Sequence, residues 1–537
     1  MSDADGSTIL QFEPRATRAV VSCGPMNSTS AATRDRTLQD ASPAVRTVGI
    51  GTHYLRYSTA NVLVLLAGAV SFPLLTRLLD NTQYGILGYY ETWVMMAVAV
   101  AKLGAQHAII RFYPHGGDLE RLEKFATNLL LLPMLASLLL WLLAVVILGS
   151  IAWFGGVAFS PVMWCAVLAI PLMVFASLVQ MIIRASELSG LLMVTRVAWR
   201  WLELVLMLAA VIMIERSALA AYGGRILAAI LVLAFYVRWI RKTLRFSREA
   251  VDYGQFRDAL RYGFPLVANE IAAIALISID RVMLKGMLGD YAAVGIYTIG
   301  YSLAIQVSVF MSASLSESFI PVANRMYETG GAGEVKALKQ RILLPMTYVS
   351  LGIGVAIAST GSELLRAVSG PDKAASGPVF AWIGTMYALY PLIDIGAYGL
   401  LLHKRSMTLL KITFAAAVIN IVLNLFFIPA IGMMGAVYAT ATSYGFLALA
   451  VCLSCPRELL RLPDFRSLLT AGFAALLFLL ALRSSGLFGL RSEWPRLFAS
   501  GGLWLLAYVV PVLLLDARLR ALLLGWRKAK RGLAGAT

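Results

Sequence analysis

Apolar stretches of roughly twenty residues recur from one end of this chain to the other, each long enough for one helix to cross a hydrocarbon layer about 30 Å thick. Of its 537 residues 59% are apolar and only 14% charged, against roughly 45–50% and 25% in soluble domains, so water offers no way to bury that surface. The bilayer must act as solvent, and the helix, not the domain, is the unit of organisation. Candidate spans run over 54–78, 84–109, 126–148, 161–183, 191–214 and 218–240. A second series covers 263–287, 293–319, 343–360, 376–401, 407–427 and 432–453, and two more spans follow at 468–482 and 498–515. The expected fold is therefore an all-α integral membrane protein of about fourteen transmembrane helices.

A net charge of +17 invites a nucleic-acid reading, but the basic residues lie in alternate gaps between spans. Short loops rich in Lys and Arg stay in the cytoplasm. About seven basic residues fall between Arg238 and Arg261, about four between Arg325 and Arg341, and about six between Arg518 and Arg531. The gaps at 149–160 and 429–433 hold none. Both termini are thus expected in the cytoplasm, with membrane lipid rather than nucleic acid as partner. The last outer gap, with Arg483, Arg491 and Arg496, fits this pattern worst.

The division of the chain follows. Residues 1–51 are polar, lack an apolar run and read as a disordered cytoplasmic tail. Helices 1–6 occupy 54–240, and a basic amphipathic connector spans 241–262, with Phe246, Phe256 and Leu260 among Arg245, Arg248, Arg257 and Arg261. Helices 7–12 occupy 263–454, helices 13–14 occupy 455–516, and a basic tail covers 517–537. Cys23, Cys165, Cys452 and Cys455 are too few and too scattered for a disulfide framework or a zinc site, so no metal or cofactor is expected.

The two series repeat one another. Ala60-Asn61 recurs as Ala268-Asn269, Arg77 as Lys285, Tyr84-Gly85-Ile86 as Val294-Gly295-Ile296, and Ala221-Tyr222 as Val437-Tyr438. Six spans separate the copies, so both run in one direction and are related by an axis along the membrane normal, which places a cavity between the halves near the midplane.

These residues resemble a known family. Thr76-Arg77-Leu78-Leu79-Asp80 with Tyr84-Gly85, then Leu103-Gly104 and Ile110-Arg111-Phe112, resemble the opening of the bacterial Wzx-type polysaccharide flippases. Asp280-Arg281, Val294-Gly295-Ile296-Tyr297, Ile428-Pro429, Gly432 and Gly435-Ala436-Val437-Tyr438-Ala439-Thr440 resemble its second half. The resemblance implies the multidrug/oligosaccharidyl-lipid/polysaccharide exporter superfamily, with two six-helix lobes in a V, as in the multidrug exporters, plus two C-terminal helices. It also implies a multi-pass location in the bacterial inner membrane and, as substrate, undecaprenyl-pyrophosphate-linked oligosaccharide carried from the cytoplasmic to the outer leaflet for exopolysaccharide or O-antigen synthesis. A polysaccharide polymerase and a chain-length regulator are the partners it implies.

An ionisable side chain near the bilayer centre costs roughly 2.5–3.5 kcal/mol, so each needs a partner, a wet cavity or a function. Glu91 and Lys102 are eleven residues apart and share a helix face, as do Glu270 and Arg281, with Asp280 beside the latter. Two such stripes facing an interlobe cavity would make a polar path roughly 16 Å long. On this reading Arg77, Lys102, Arg281 and Lys285 receive the pyrophosphate, and Glu91, Glu270 and Asp280 serve as proton sites or pair the cations. Glu317 and Asp394 are isolated acids expected to line the cavity. Arg196, Arg200 and Glu203, on one face of the fifth span, and Arg225 in the sixth are expected to form an ion-pair cluster joining those helices.

No GxxxxGK[ST] or HExxH motif is present and the outer gaps are shorter than about twenty residues, which argues against an enzyme such as an O-antigen ligase or polymerase. Export of two negative charges from an interior-negative cell is favoured by about 2.3 kcal/mol per charge per 100 mV. Coupling to the membrane potential, to protons or to sodium therefore stays open. The remaining alternatives are a lipid II flippase and a multidrug or cation antiporter of the same superfamily.

Overall fold

The computed structural model describes residues 50–114, 118–156, 158–487 and 492–534. Side chains at 50–58, 312–318 and 526–534 lie outside that description, as does the N-terminal tail of residues 1–49. Among the described residues there is no strand, and every long element is a helix. With no water to satisfy backbone groups, a spanning segment must close its hydrogen bonds on itself.

The first half comprises α1 (Ile50–Leu78), α2 (Asn81–Ala101), α3 (Ala105–Phe112), α4 (Leu119–Ala126), α5 (Leu132–Phe154), α6 (Pro161–Ala185), α7 (Ser189–Met213) and α8 (Ala218–Thr243). Its counterpart comprises α9 (Tyr253–Leu288), α10 (Tyr291–Ser369), α11 (Gly377–Gly396), α12 (Ser406–Ile431) and α13 (Met433–Ser454). α10 is two helices joined at a break where Gly331 adopts φ 71°. Last come α14 (Phe465–Ser484), α15 (Glu493–Trp504), α16 (Val510–Leu515) and α17 (Ala517–Ala534).

Eleven helices among the described residues are long and apolar enough to span, or twelve if the pair α2 and α3, bent by 48°, counts as one. The two expected spans outside that number are α7 and α9, 25 and 36 residues long, both carrying ionisable side chains along their length. The apolar helices meet lipid directly. In the span Leu119–Phe154 only 17% of the most apolar window is buried, a surface that water would not tolerate.

Local chemistry shows why the repeat exists. Asp80 caps α2, its Oδ1 accepting from the Gln83 N–H at 2.7 Å, and Asp290 caps α10 in the same way through Ala292 at 2.8 Å. Within each half the helices pack on one another, α1 on α7 and α6 on α8 in the first, α10 on α11 and α12 on α13 in the second. The two halves meet chiefly where α1, α2 and α3 of the first pack on α9 and α10 of the second. The repeated Gly85 and Gly295 lie at this crossing: a Cβ on Gly85 would sit 1.9 Å from the Tyr291 carbonyl oxygen, and one on Gly295 1.7 Å from that of Asn81. The glycine recurs because its two copies touch.

The chain enters α9 through residues 244–252, tied to the first half by Asn128, which donates to the Ala250 carbonyl at 2.9 Å and accepts from the Asp252 N–H at 2.8 Å. Phe256, Arg257, Leu260 and Arg261 occupy the opening turns of α9 itself. The C-terminal helices dock on α10. Tyr508 lies against Gly352 and donates to the Tyr348 carbonyl at 2.8 Å, while Tyr348 donates to Asp516 at 2.7 Å.

Candidate functional site

A cavity of about 350 Å³ lies between the halves, lined from the first by Ser71, Glu91 and Arg200 and from the second by Arg281, Ser302 and Gln306. Arg281 is 7% exposed, its guanidinium 4.9 Å from the Tyr301 ring centroid, and its Nε is buried without a hydrogen-bond partner. The Tyr301 hydroxyl is held by that of Tyr387 at 2.7 Å, so the ring beneath the guanidinium is fixed.

On the opposite wall Arg225 bridges two acids, bonding Glu91 through both terminal nitrogens and meeting Glu203 at 3.1 Å. Arg200 meets Glu203 at 3.4 Å. The cavity and its immediate partners thus hold three guanidinium groups against two carboxylates. Their net positive charge, with an unsatisfied donor at its centre, suits an anion.

The seam between the halves closes at both ends. At the end that the charge pattern of the loops expects to face outward, Gly85 and Gly295 are in backbone contact. At the opposite end, expected to face the cytoplasm, Gly104, with φ 75°, abuts Gly263, where a Cβ would lie 2.5 Å from the Gly104 carbonyl oxygen. Beside them Lys102 pairs with Glu270 at 2.6 Å, and Gln106 donates to the other Glu270 oxygen at 2.6 Å.

The expected residues therefore divide among several places. Glu91 and Arg281 line the central cavity. α2 keeps helical geometry through Lys102, ahead of the bend at Leu103 and Gly104, yet its two side chains do not form one path: Glu91 turns to Arg225 and Lys102 to Glu270. Along the unbroken α9, Glu270 closes the inner seam and Arg281 lies in the cavity.

Asp280 faces away from the cavity, fully buried, and accepts from Tyr297 at 2.5 Å, Asn424 at 2.6 Å and Thr440 at 2.7 Å. Arg77 donates to the carbonyls of Ala367 and Val368 at the outer end. Nearby, Lys285 donates to the Gly289 carbonyl and sits 4.0 Å from the Tyr291 ring centroid. Asp394 lines a separate pocket of about 310 Å³ within the second half, beside Tyr390, Asn269 and Thr413. The side chain of Glu317 lies outside the described residues.

Arg200 enters the cavity although its spacing with Glu203 suggested only a helix-joining ion pair. Gln306 and Ser302 carried no sequence signal, being ordinary polar residues whose position depends on how α10 meets α1.

Two helix-bundle halves with a polar cavity between them and a seam closed at either end make this a multi-pass membrane protein built around one central site. The fold is similar to "Lipid II flippase MurJ, inward closed conformation", at 12% identity and a TM-score of 0.68, covering 86% of this chain and 98% of that one. It is also similar to the outward-facing conformation of a multidrug resistance MATE family transporter of the MOP superfamily, at 14% identity and 0.53, covering 75% and 94%. The MATE multidrug transporter DinF-BH in complex with R6G matches at 14% and 0.53, covering 74% and 93%. No curated protein matches the chain. The family model described as polysaccharide biosynthesis protein matches residues 52–327, and the chain belongs to that family.

Proposed function

We propose that the chain is a flippase that moves undecaprenyl-pyrophosphate-linked oligosaccharide from the cytoplasmic to the outer leaflet of a bacterial inner membrane. The observation that carries this reading is Arg281, a buried guanidinium with an unpartnered Nε in a cavity of net positive charge. A guanidinium binds phosphate oxygens through paired hydrogen bonds, and a diphosphate supplies the acceptors this one lacks. Opening the inner seam at Lys102 and Glu270 admits the headgroup, and opening the outer seam at Gly85 and Gly295 releases it while the lipid chain stays in the bilayer.

Lipid II, with the same lipid diphosphate, is the second reading, favoured by the likeness to the MurJ fold over 98% of that chain. A cationic drug fits less well, because Glu91, the one acid among the described residues lining the cavity, is already neutralised by Arg225.

The membrane potential supplies part of the driving force, and buried Asp280, surrounded by Tyr297, Asn424 and Thr440, is the residue we assign to any proton or sodium coupling. A polymerase and a chain-length regulator in the same membrane would consume the product.

Thermal stabilisation of the detergent-solubilised chain tests the ligand class. Undecaprenyl pyrophosphate should raise the unfolding temperature where undecaprenol does not, with the difference lost in Arg281→Gln. Equal stabilisation by both lipids would contradict the reading.

A further inference from the structure

A third pocket, of about 390 Å³, opens on the outer face and belongs to no part of the central cavity. The end of α1 contributes Arg77, the end of α10 contributes Arg366 and Ser369, the turn after it Asp372, and the start of α15 Glu493 and Trp494. Its volume lies within the roughly 300–1,000 Å³ typical of small-molecule sites.

Three features describe what would fit. In the lining two guanidinium groups stand against two carboxylates, and Asp372 is further paired with buried Lys373 at 2.7 Å, so each charged group already has a partner. Arg366 pairs with Glu493 at 2.5 Å, and Arg77 is committed to the Ala367 and Val368 carbonyls at 2.8 and 2.9 Å. The rim therefore offers both acceptors and donors, held by these contacts. Trp494 is 47% exposed, and its ring lies 6.2 Å, centroid to centroid, from that of Phe498. Ser369 is fully buried in the wall, and its Oγ has no hydrogen-bond partner.

We propose that this pocket is a carbohydrate-binding site that holds a neutral pyranose ring against Trp494 at the outer mouth of the protein. A sugar hydroxyl both donates and accepts, so it can donate to a carboxylate and accept from a guanidinium of the same rim. The C–H face of the ring supplies apolar surface for the indole. That the bound ring belongs to an exported glycan rests on the flippase reading; the affinity of the pocket for sugar does not.

Saturation-transfer NMR on the full chain, in a detergent without a sugar headgroup, tests the site directly. The probes are the methyl glycosides of glucose, galactose, mannose, rhamnose and N-acetylglucosamine at millimolar concentration. At least one should receive saturation on its ring protons, and the signal should fall by at least about threefold in Trp494→Ala and in Arg366→Gln while Trp494→Phe keeps most of it. Arg366→Gln, at a half-exposed side chain, decides the matter if Trp494→Ala does not fold. Absence of transfer to all five sugars, or equal transfer in wild type and the variants, would overturn the assignment. Sugar contact in a chain that fails to move lipid-linked sugar would refute the flippase reading alone, and movement without contact would refute the pocket alone.

Discussion

Replacing Gly85 by alanine places a methyl group where the outer seam has no room. The new Cβ would meet the Tyr291 carbonyl oxygen at 1.9 Å, whereas ordinary contact begins at 3.4 Å, so the outer ends of α2 and α10 must part by 3.4 − 1.9 = 1.5 Å. These helices belong to different halves, so the strain acts on the closed outer seam and is relieved when it opens. Overpacking of this kind costs about 1–3 kcal/mol. The equilibrium should shift toward the outer-open arrangement by roughly 5- to 150-fold.

The readout is a cysteine at Ser302, in the cavity wall, in a background with Cys23, Cys165, Cys452 and Cys455 replaced by serine. Membrane-impermeant maleimide added outside should label it at least about fivefold faster in Gly85→Ala. Gly263→Ala, whose Cβ would lie 2.5 Å from the Gly104 carbonyl oxygen, should instead speed labelling from the cytoplasmic side. Gly445→Ala, with nothing within 4 Å, should change neither. Unchanged labelling in Gly85→Ala, or faster labelling from the cytoplasmic side, would refute the idea that the paired glycines form the outer gate.

Three further outcomes follow from the geometry. Lys102→Met should loosen the inner seam by about 1–3 kcal/mol, below the roughly 3–5 of a fully buried pair because the Glu270 side chain is 27% exposed; a double-mutant cycle with Glu270→Gln, read by maleimide labelling from the cytoplasmic side, should show strong coupling. Arg281→Lys should retain the charge yet lower transport about tenfold, since an ammonium cannot make the paired contacts of a guanidinium. At Asp516 burial raises the carboxyl, but hydrogen bonds from Arg518 and Tyr348 outweigh it and hold it at about 2, below its ordinary 3.8. A carboxyl lowered on folding stabilises above its ordinary value and loses that contribution as pH falls toward the lowered one, so about 2 kcal/mol of folding stability should vanish between pH 4 and 2. Thermal unfolding of Asp516→Asn against wild type should show a gap at neutral pH that narrows below pH 4, whereas a constant gap would contradict this account.

Much of the architecture was legible in the chain because the bilayer imposes a length and an apolarity on each span, and because the repeated motifs carry a physical cause in Gly85 and Gly295. The caps at Asp80 and Asp290 and the turn at Gly432 fix helix ends that hydropathy alone leaves loose. The site was less so. A shared helical face does not make a shared partner: α2 is helical from Glu91 to Lys102, but three turns separate the two side chains, and one meets Arg225 while the other meets Glu270. Arg200, Gln306 and Ser302 enter the cavity through the packing of α7 on α1 and of α10 on α1, contacts between segments distant in sequence that no local pattern records. Asp280 and Arg281 are neighbours in sequence but face opposite ways, one into the second half and one into the cavity.

The central claim is that a lipid-linked sugar crosses the bilayer through the Arg281 cavity, and headgroup translocation in proteoliposomes tests it most directly. Undecaprenyl-pyrophosphate-linked oligosaccharide should become accessible to an outside glycosidase in a protein-dependent manner, and Arg281→Ala should abolish this while leaving the protein folded. Transport of a cationic dye without movement of the lipid-linked sugar, or undiminished movement in Arg281→Ala, would contradict it.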